Sequence, residues 1–403
     1  MTNEIKNVPE LRFPEFKEEW SKLKLGELAE IVRGSSPRPI SDPRWFDINS
    51  DIGWLRISDV TEQNGKITKL EQKISKDGQK KTRVLHSKHL LLSIAATVGK
   101  PVINYVKTGV HDGFLIFLRP LFDIEFMYQW LDAYRPKWKK YGQPGSQVNL
   151  NSELVKSQKI YMPHSVEQKK ISDFFSKLDR QIELEEQKLV KLEEQKKGYM
   201  QKIFSQELRF KDDNGNSYPD WSIKKIEDIS KVNKGFTPNT KNDEYWDELN
   251  ENWLSIAGMT QKYLYKGNKG ITEKGASKHV KVDKDTLIMS FKLTLGKLAI
   301  VKEPIYTNEA ICHFVWKESN VNTEYMYYYL NSINISTFGA QAVKGVTLNN
   351  DSINSIIVKL PVIQEQNKIA YFFNELDKLI RQQYAKIELL KQRKNGLLQK
   401  MFV

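Results

Sequence analysis

The stretch PHSVEQKKISDFFSKLDRQIELEEQKLVKLEEQKKGYMQKIFS, residues 163–205, returns as PVIQEQNKIAYFFNELDKLIRQQYAKIELLKQRKNGLLQKMFV, residues 361–403. The shift is 198 residues (361 − 163) in a chain of 403, and the copies align without a gap. Glu167-Gln168, Phe174-Phe175, Leu178-Asp179, Ile182, Lys196, Gly198, Gln201-Lys202 and Phe204 recur as Glu365-Gln366, Phe372-Phe373, Leu376-Asp377, Ile380, Lys394, Gly396, Gln399-Lys400 and Phe402. Agreement of this kind in one frame marks an internal duplication, and a chain built of two such units has two similar working ends.

Both copies carry a heptad. Apolar positions step by four and three through Ile171, Phe175, Leu178, Ile182, Leu189, Leu192, Tyr199 and Ile203, interrupted by Glu185 and Lys196. The second copy runs through Ile369, Phe373, Leu376, Ile380, Ile387, Leu390, Leu397 and Met401, interrupted by Gln383 and Lys394. Neither holds a proline beyond its entry residue, so each reads as one helix of about 38 residues, roughly 57 Å long. A polar helix with one apolar seam needs a partner. Antiparallel pairing of the two copies within the chain would set Glu185 level with Lys394 and Lys196 level with Gln383, polar pairs able to fix register. The alternatives are packing of each helix on its own globular half, or pairing between chains.

Outward from the helices the repeat loosens. Leu11-Arg12-Phe13 with Trp20 returns as Leu208-Arg209-Phe210 with Trp221, Gly34-Ser35-Ser36-Pro37 as Gly235-Phe236-Thr237-Pro238, and Leu150-Asn151 as Leu348-Asn349. Strands are expected at Trp54 to Ile57, Leu90 to Ala95, Pro101 to Tyr105 and Phe114 to Leu118, each bounded by turn formers. Their counterparts are Trp253 to Ala257, Thr286 to Phe291, Leu298 to Val301 and Ile311 to Trp316, and helices are expected at Phe126 to Tyr134 and Glu324 to Ile333. The fold class is therefore α/β (mixed α+β): two similar globular domains, residues 1–162 and 208–360, each followed by a long helical segment, 163–207 and 361–403.

Composition narrows the chemistry. The chain is 39% hydrophobic and 11% aromatic, as in a globular protein, and shows no targeting signal or membrane-spanning run. A single cysteine, Cys312, excludes an internal disulfide and points to a reducing cytoplasm. A net charge of +13 suits a polyanion, since each phosphate neutralised by Lys or Arg releases counterions. Gly99-Lys100 and Gly296-Lys297 lack the rest of a phosphate-binding loop, and no Gly-x-Gly-x-x-Gly or Asn-Pro-Pro-aromatic string appears. A nuclease-like set drawn from Asp59 and Glu71-Gln72-Lys73 is undistinctive, because Glu-x-Lys recurs throughout the chain. His86 and His89 read as strand-flanking surface residues, so no metal site and no catalytic residue is assigned.

Recognition chemistry is what remains. Arginine suits guanine edges, Asn and Gln suit adenine, and hydroxyls suit phosphates. Candidate DNA contacts in the first half are Arg33, Ser35, Ser36, Arg38 and Arg44 around the Gly34 loop, then Lys80, Arg83 and Lys100, then Gln143, Ser146, Gln147 and Asn149. In the second half they are Lys234, Thr237, Asn239 and Lys241 around the Gly235 loop, then Lys278, Lys292 and Lys297, then Gln341, Lys344, Thr347 and Asn349.

These strings resemble the specificity subunit of Type I restriction-modification systems. The resemblance lies in Gly34-Ser35-Ser36-Pro37 with Trp45-Phe46 and Trp54-Leu55-Arg56-Ile57, and in Gly235-Phe236-Thr237-Pro238 with Tyr245-Trp246 and Trp253-Leu254-Ser255-Ile256. It extends to the Val98-Gly99-Lys100 and Leu295-Gly296-Lys297 turns and the helix openings at Pro163 and Pro361. Two departures are Ser36, where Thr is commoner, and His111-Asp112-Gly113-Phe114 in place of Asn-Gln-Gly-Phe. The resemblance implies two target recognition domains, each reading one half of a split, asymmetric sequence in double-stranded DNA, with the helices setting the gap. It also implies two methyltransferase subunits using S-adenosylmethionine, and restriction subunits using ATP and Mg, so this chain would be non-catalytic and hold no cofactor. The competing readings are an endonuclease or methyltransferase with an unrecognised site, and a coiled-coil scaffold.

Overall fold

The structure, a computed structural model, describes residues 7–141, 150–277, 279–342 and 345–402. It divides into two compact units, Met1–Gln187 with Ala385–Val403, and Lys188–Tyr384. Each unit thus holds a globular domain together with parts of both long helices.

In the first unit a five-stranded sheet runs in the order Glu30–Arg33, Phe114–Leu118, His89–Ser93, Pro101–Asn104 and Lys66–Ile67. All neighbours are antiparallel except the last pair, which is parallel. The central strands are apolar throughout because both faces are covered. Leu90, Leu92, Leu115 and Phe117 face the core shared with the helix Ile124–Tyr134 and with Ile171 and Phe175 of the long helix Ser165–Phe204. Leu91 and Ile116, one residue out of phase, join Leu55, Val60 and Val110 on the other side. A smaller sheet of Gly53–Leu55, Thr108–Val110 and Arg83–Leu85 lies in this unit, as does a ribbon pairing Ser21–Lys24 with Lys159–Met162.

The second unit repeats the order with Ser230–Lys234, Ile311–Trp316, Leu287–Ser290, Leu298–Val301 and Tyr263–Leu264. Leu287, Met289, Cys312 and Phe314 face the helix Thr323–Ser332 and the long helices, whereas Ile288, Ala299 and Ile311 turn to a second core. Burial pushes the Cys312 thiol up to about 12, so it behaves as a small hydrophobe.

The strand expectations hold at Phe114–Leu118, Leu298–Val301 and Ile311–Trp316. The first strand differs: it stops at Leu55, and Ile57–Glu62 is helical. The reason is a cap, because Asp59 accepts from the Arg56 amide at 2.8 Å and pairs with its guanidinium at 2.7 Å. That use also removes Asp59 from the nuclease-like set. Its second-half counterpart likewise ends at Leu254 and passes into a short turn of helix, Ile256–Gly258.

Within each unit, its segments of the long helices Ser165–Phe204 and Ile363–Met401 run antiparallel against each other. In the first unit Phe175 stacks on Phe402 with ring centroids 6.0 Å apart, and in the second Phe204 stacks on Phe373 at 5.8 Å. Burying each ring contributes about 1.5–3 kcal/mol. The seam is buried or half-buried at Phe175, Leu178, Ile182, Leu189 and Leu192, and at Phe373, Leu376, Ile380, Gln383, Ile387 and Leu390. The ion pairs differ from those expected. Lys394 reaches Asp179 at 2.7 Å and Lys196 reaches Asp377 at 2.6 Å, while Glu185 meets Lys386 at 2.5 Å. A lysine on a half-buried seam extends along the helix to a carboxylate that the domain also holds, so its partner lies away from its own level. Among the described residues no helix is long and apolar enough to cross a membrane.

Candidate nucleic-acid interface

The Gly34 loop leaves the edge strand Glu30–Arg33 and lies against the turn His111–Gly113. Gly34 and Ser35 amides donate to the Phe114 and Val110 carbonyls at 2.9 and 3.0 Å. A Cβ on Gly34 would sit 2.1 Å from the His111 carbonyl oxygen, so glycine is required by close backbone approach. Ser36 Oγ donates to Asp112 Oδ1 at 2.9 Å, Arg38 donates to Oδ2 at 2.8 Å, and Arg33 Nε donates to the Asp112 carbonyl at 2.6 Å. Burial would raise the Asp112 pKa, but the Ser36 hydrogen bond and the Arg38 and Arg33 charges hold it below the usual carboxylate value. Arg83 Nε donates to the Arg33 carbonyl at 2.9 Å, and Thr82 Oγ1 to the Ser35 carbonyl at 2.6 Å. Arg33, Ser35, Ser36, Arg38 and Arg83 therefore form one cluster around Asp112, with the Arg38 side chain 78% exposed.

A second turn joins this edge. The Ile94 amide donates to the Gly113 carbonyl at 2.8 Å, and the chain then doubles back through Ala96 (φ 54°) and Gly99 (φ 77°). The second unit repeats both turns. Gly235 and Phe236 amides donate to the Ile311 and Thr307 carbonyls at 3.1 and 2.8 Å, and a Cβ on Gly235 would sit 2.1 Å from the Thr307 carbonyl oxygen. Thr237 Oγ1 donates to Glu309 and accepts from Asn308 Nδ2 at 2.7 Å. The following turn passes through Leu293 (φ 63°) and Gly296 (φ 72°), with Leu293 93% exposed. Two non-glycine residues in the left-handed region at equivalent places indicate a backbone shape that both domains maintain against a cost of about 1–2 kcal/mol.

The remaining candidates fall into groups. Arg44 and Lys80 are exposed near Asp77: Lys80 pairs with it at 2.8 Å, and Arg44 lies 4.1 Å from the Trp45 ring and pairs with Asp42 at 3.0 Å. Lys234 lies 4.5 Å from the Phe291 ring, beside the turn that carries the exposed Lys292, while Asn239 and Lys241 share an exposed turn in which the Lys241 amide donates to Asn239 Oδ1 at 3.0 Å. Three candidates are engaged inside the scaffold. Lys100 bonds Asn64 at 2.9 Å and pairs with Asp132 at 3.3 Å, Lys297 lies 3.5 Å from the Ile256 carbonyl, and Asn349 accepts from the Ser352 amide at 2.8 Å as a helix cap. Asn151 caps its own helix in the same way, which accounts for the Leu-Asn repeat. Gln341 and Thr347 lie on the paired strands Ala340–Ala342 and Gly345–Thr347. Gln143, Ser146, Gln147, Asn149, Lys278 and Lys344 lie outside the described residues.

Sequence reasoning passed over the residues that hold the scaffold. Arg12 clamps Glu167 with two bonds of 2.7 Å, and Trp20 Nε1 donates to the same carboxylate at 3.2 Å. Arg209, Glu365 and Trp221 repeat the arrangement at 3.2, 2.8 and 3.0 Å. Gln168 ties the Pro163 carbonyl to the Asp123 amide, and Gln366 ties Pro361 to Asn322. The recurrence of Arg, Trp and Glu-Gln was the available signal.

This pair of loop-bearing domains on long helices matches a family model, the Type I restriction modification DNA specificity domain, at residues 17–194 and again at 218–389. The chain belongs to that family and carries its domain twice. It is 31% identical over 196 residues to the Type I restriction enzyme MjaIX specificity subunit of Methanocaldococcus jannaschii, covering 46% of this chain and 45% of that one. It is 20% identical over 422 residues to the MjaVIII specificity subunit of the same organism, covering 98% and 94%. The fold is shared with the S subunit of a Type-I restriction-modification system from M. genitalium, with a TM-score of 0.57 at 14% identity over 98% of this chain and 99% of that one. A chain from a type I R-M complex-assembly structure gives 0.64 at 13% identity, over 96% and 98%.

Proposed function

We propose that this chain is the DNA-reading subunit of a Type I restriction-modification complex, acting in the cytoplasm. Residues 1–162 and 208–360 each read one half of a split, asymmetric target in the major groove, and the helices of 163–207 and 361–403 set the unspecified gap. Adenine methylation with S-adenosylmethionine, and ATP- and Mg-dependent cleavage, belong to two methyltransferase subunits and to restriction subunits that it recruits. The observation that carries this reading is the loop edge present in both units, with Gly34 and Gly235 fixed by the same backbone approach while the side chains around them differ. Two reading edges of one frame and unlike chemistry suit two unlike half-sites.

Within this reading Arg33, Arg38 and Arg83 supply the first edge, and Lys234, Asn239, Lys241 and Lys292 the second. Ser36 and Thr237 shape the loops through their acidic partners. The test is co-expression with the methyltransferase subunit and mapping of methylated adenines across a genome. A bipartite motif is expected, and a continuous motif or none would overturn the reading.

A further inference from the structure

Asp179, from the Leu-Asp repeat, meets three other elements of the first unit. Its Oδ2 accepts from Lys66 Nζ on the edge strand at 2.9 Å and from Gln129 Nε2 on the helix Ile124–Tyr134 at 2.9 Å. Its Oδ1 pairs with Lys394 of the other long helix at 2.7 Å. In the second unit Asp377 pairs with Lys196 at 2.6 Å, and its Oδ2 accepts from the Tyr328 hydroxyl at 2.5 Å. That hydroxyl accepts from Lys262 Nζ at 2.8 Å, and Lys262 also pairs with Glu324 at 2.6 Å. The chemistry is kept while the residues change. Lys66 and Tyr263 stand opposite Ile103 and Ile300 in their edge strands, so the second lysine, Lys262, comes from the neighbouring position and acts through Tyr328.

We propose that Asp179 and Asp377 are positioning residues that fix each recognition domain on its helix pair, and so set which gap between half-sites is accepted; this rests on the split-target reading above. Apolar packing between a helix and a sheet is non-directional and tolerates rotation. A shielded carboxylate held from three sides by charge-assisted bonds fixes distance and angle together. The demand is strict, because one extra base pair moves a half-site by about 3.4 Å and turns it by about 34°.

The test uses the full chain in complex with its methyltransferase subunit. The probe is a duplex library in which the two mapped half-sites are separated by the native gap, or by one or two base pairs more or fewer. Asp179→Asn should lower the preference for the native gap by about tenfold with the half-site bases unchanged. Lys66→Gln cuts one of the two links to the domain, leaving that of Gln129, and keeps the Asp179–Lys394 pair in place. It should act in the same direction by about threefold, and it decides the matter if Asp179→Asn does not fold. A split wild-type motif with unaltered gap preference in the folded variants overturns the proposal alone, as does a change in half-site bases. A continuous wild-type motif overturns the split-target reading and the proposal with it.

Discussion

The two units keep the same residues in one place and exchange them in another. Around the helix openings the Arg, Trp and Glu of the clamp are identical, Arg12-Trp20-Glu167 and Arg209-Trp221-Glu365. Around the loops the frame is kept but its contents are not: Ser36 bonds Asp112 where Thr237 bonds Glu309, and two arginines that converge on Asp112 have no arginine counterparts at Glu309. Buried charge explains the first case. A clamp of this kind resists change because removing one partner strands the other away from water. The loop edge is exposed, so its side chains can vary at little cost to folding.

The clamp should therefore fail alike in both units, and this is the largest effect expected. Glu167→Ala leaves Arg12 and the Trp20 indole without their acceptor, and Glu365→Ala does the same to Arg209 and Trp221. Each should cost about 3–5 kcal/mol in its own unit. Hydrogen exchange resolved by unit checks this. Equal loss in both units from either single variant would show that the two units do not unfold independently.

The loops should fail singly. Gly34→Ala drives a methyl into the His111 carbonyl and Gly235→Ala into that of Thr307, forcing a local shift worth about 1–3 kcal/mol. Each variant should lose recognition of one half-site and keep the other, read as degenerate positions on one side of a methylation motif. Loss on both sides from one substitution would show that the domains do not read separately.

Acid should separate the units. His313 is buried with its pKa pushed down to about 4, its Nε2 2.5 Å from Thr307 Oγ1. The folded state keeps this ring neutral while the unfolded chain takes up a proton below about pH 6.5. The stability it contributes is therefore intact above that pH and declines as pH falls toward 4, by about 2 kcal/mol at pH 5. In the first unit burial also lowers the pKa of His111, but the neighbouring Asp112 carboxylate opposes that shift, so the slope there should be shallower. Melting of the wild type and of His313→Asn at pH 7 and pH 5 tests it. The variant should lose most of the pH dependence of the second unit, whatever its stability at pH 7.

These contrasts also mark what the sequence could convey. The seam was legible because heptad spacing survives in one dimension, and Phe175, Ile182, Phe373 and Ile387 are buried as their spacing requires. The strands Phe114–Leu118 and Ile311–Trp316 were legible as apolar runs. Partners far apart in sequence were not. Nothing in local spacing joins Lys66 to Asp179 or Ser36 to Asp112, and the pairing of Ser21–Lys24 with Lys159–Met162 spans the whole domain. Lys100 and Asn349 looked like recognition residues because polar turns invite that reading. The fold holds Lys100 through Asp132, 32 residues on, whereas the Asn349 cap is local, three residues from Ser352.

The smallest effect concerns two glycines that the repeat preserves without a reason inside the chain. Gly198 and Gly396 lie within the long helices, and a Cβ added to either meets nothing within 4 Å. Helix propensity alone then predicts that Gly198→Ala and Gly396→Ala each stabilise the isolated chain by about 1 kcal/mol, because glycine loses more backbone freedom on folding. Here the units should respond equally, since both sites are bare and both helices regular. Thermal melting of the chain without partners measures the gain. A loss in either variant would mean that the helix is not regular at that glycine, and that two positions alike in sequence and surroundings differ.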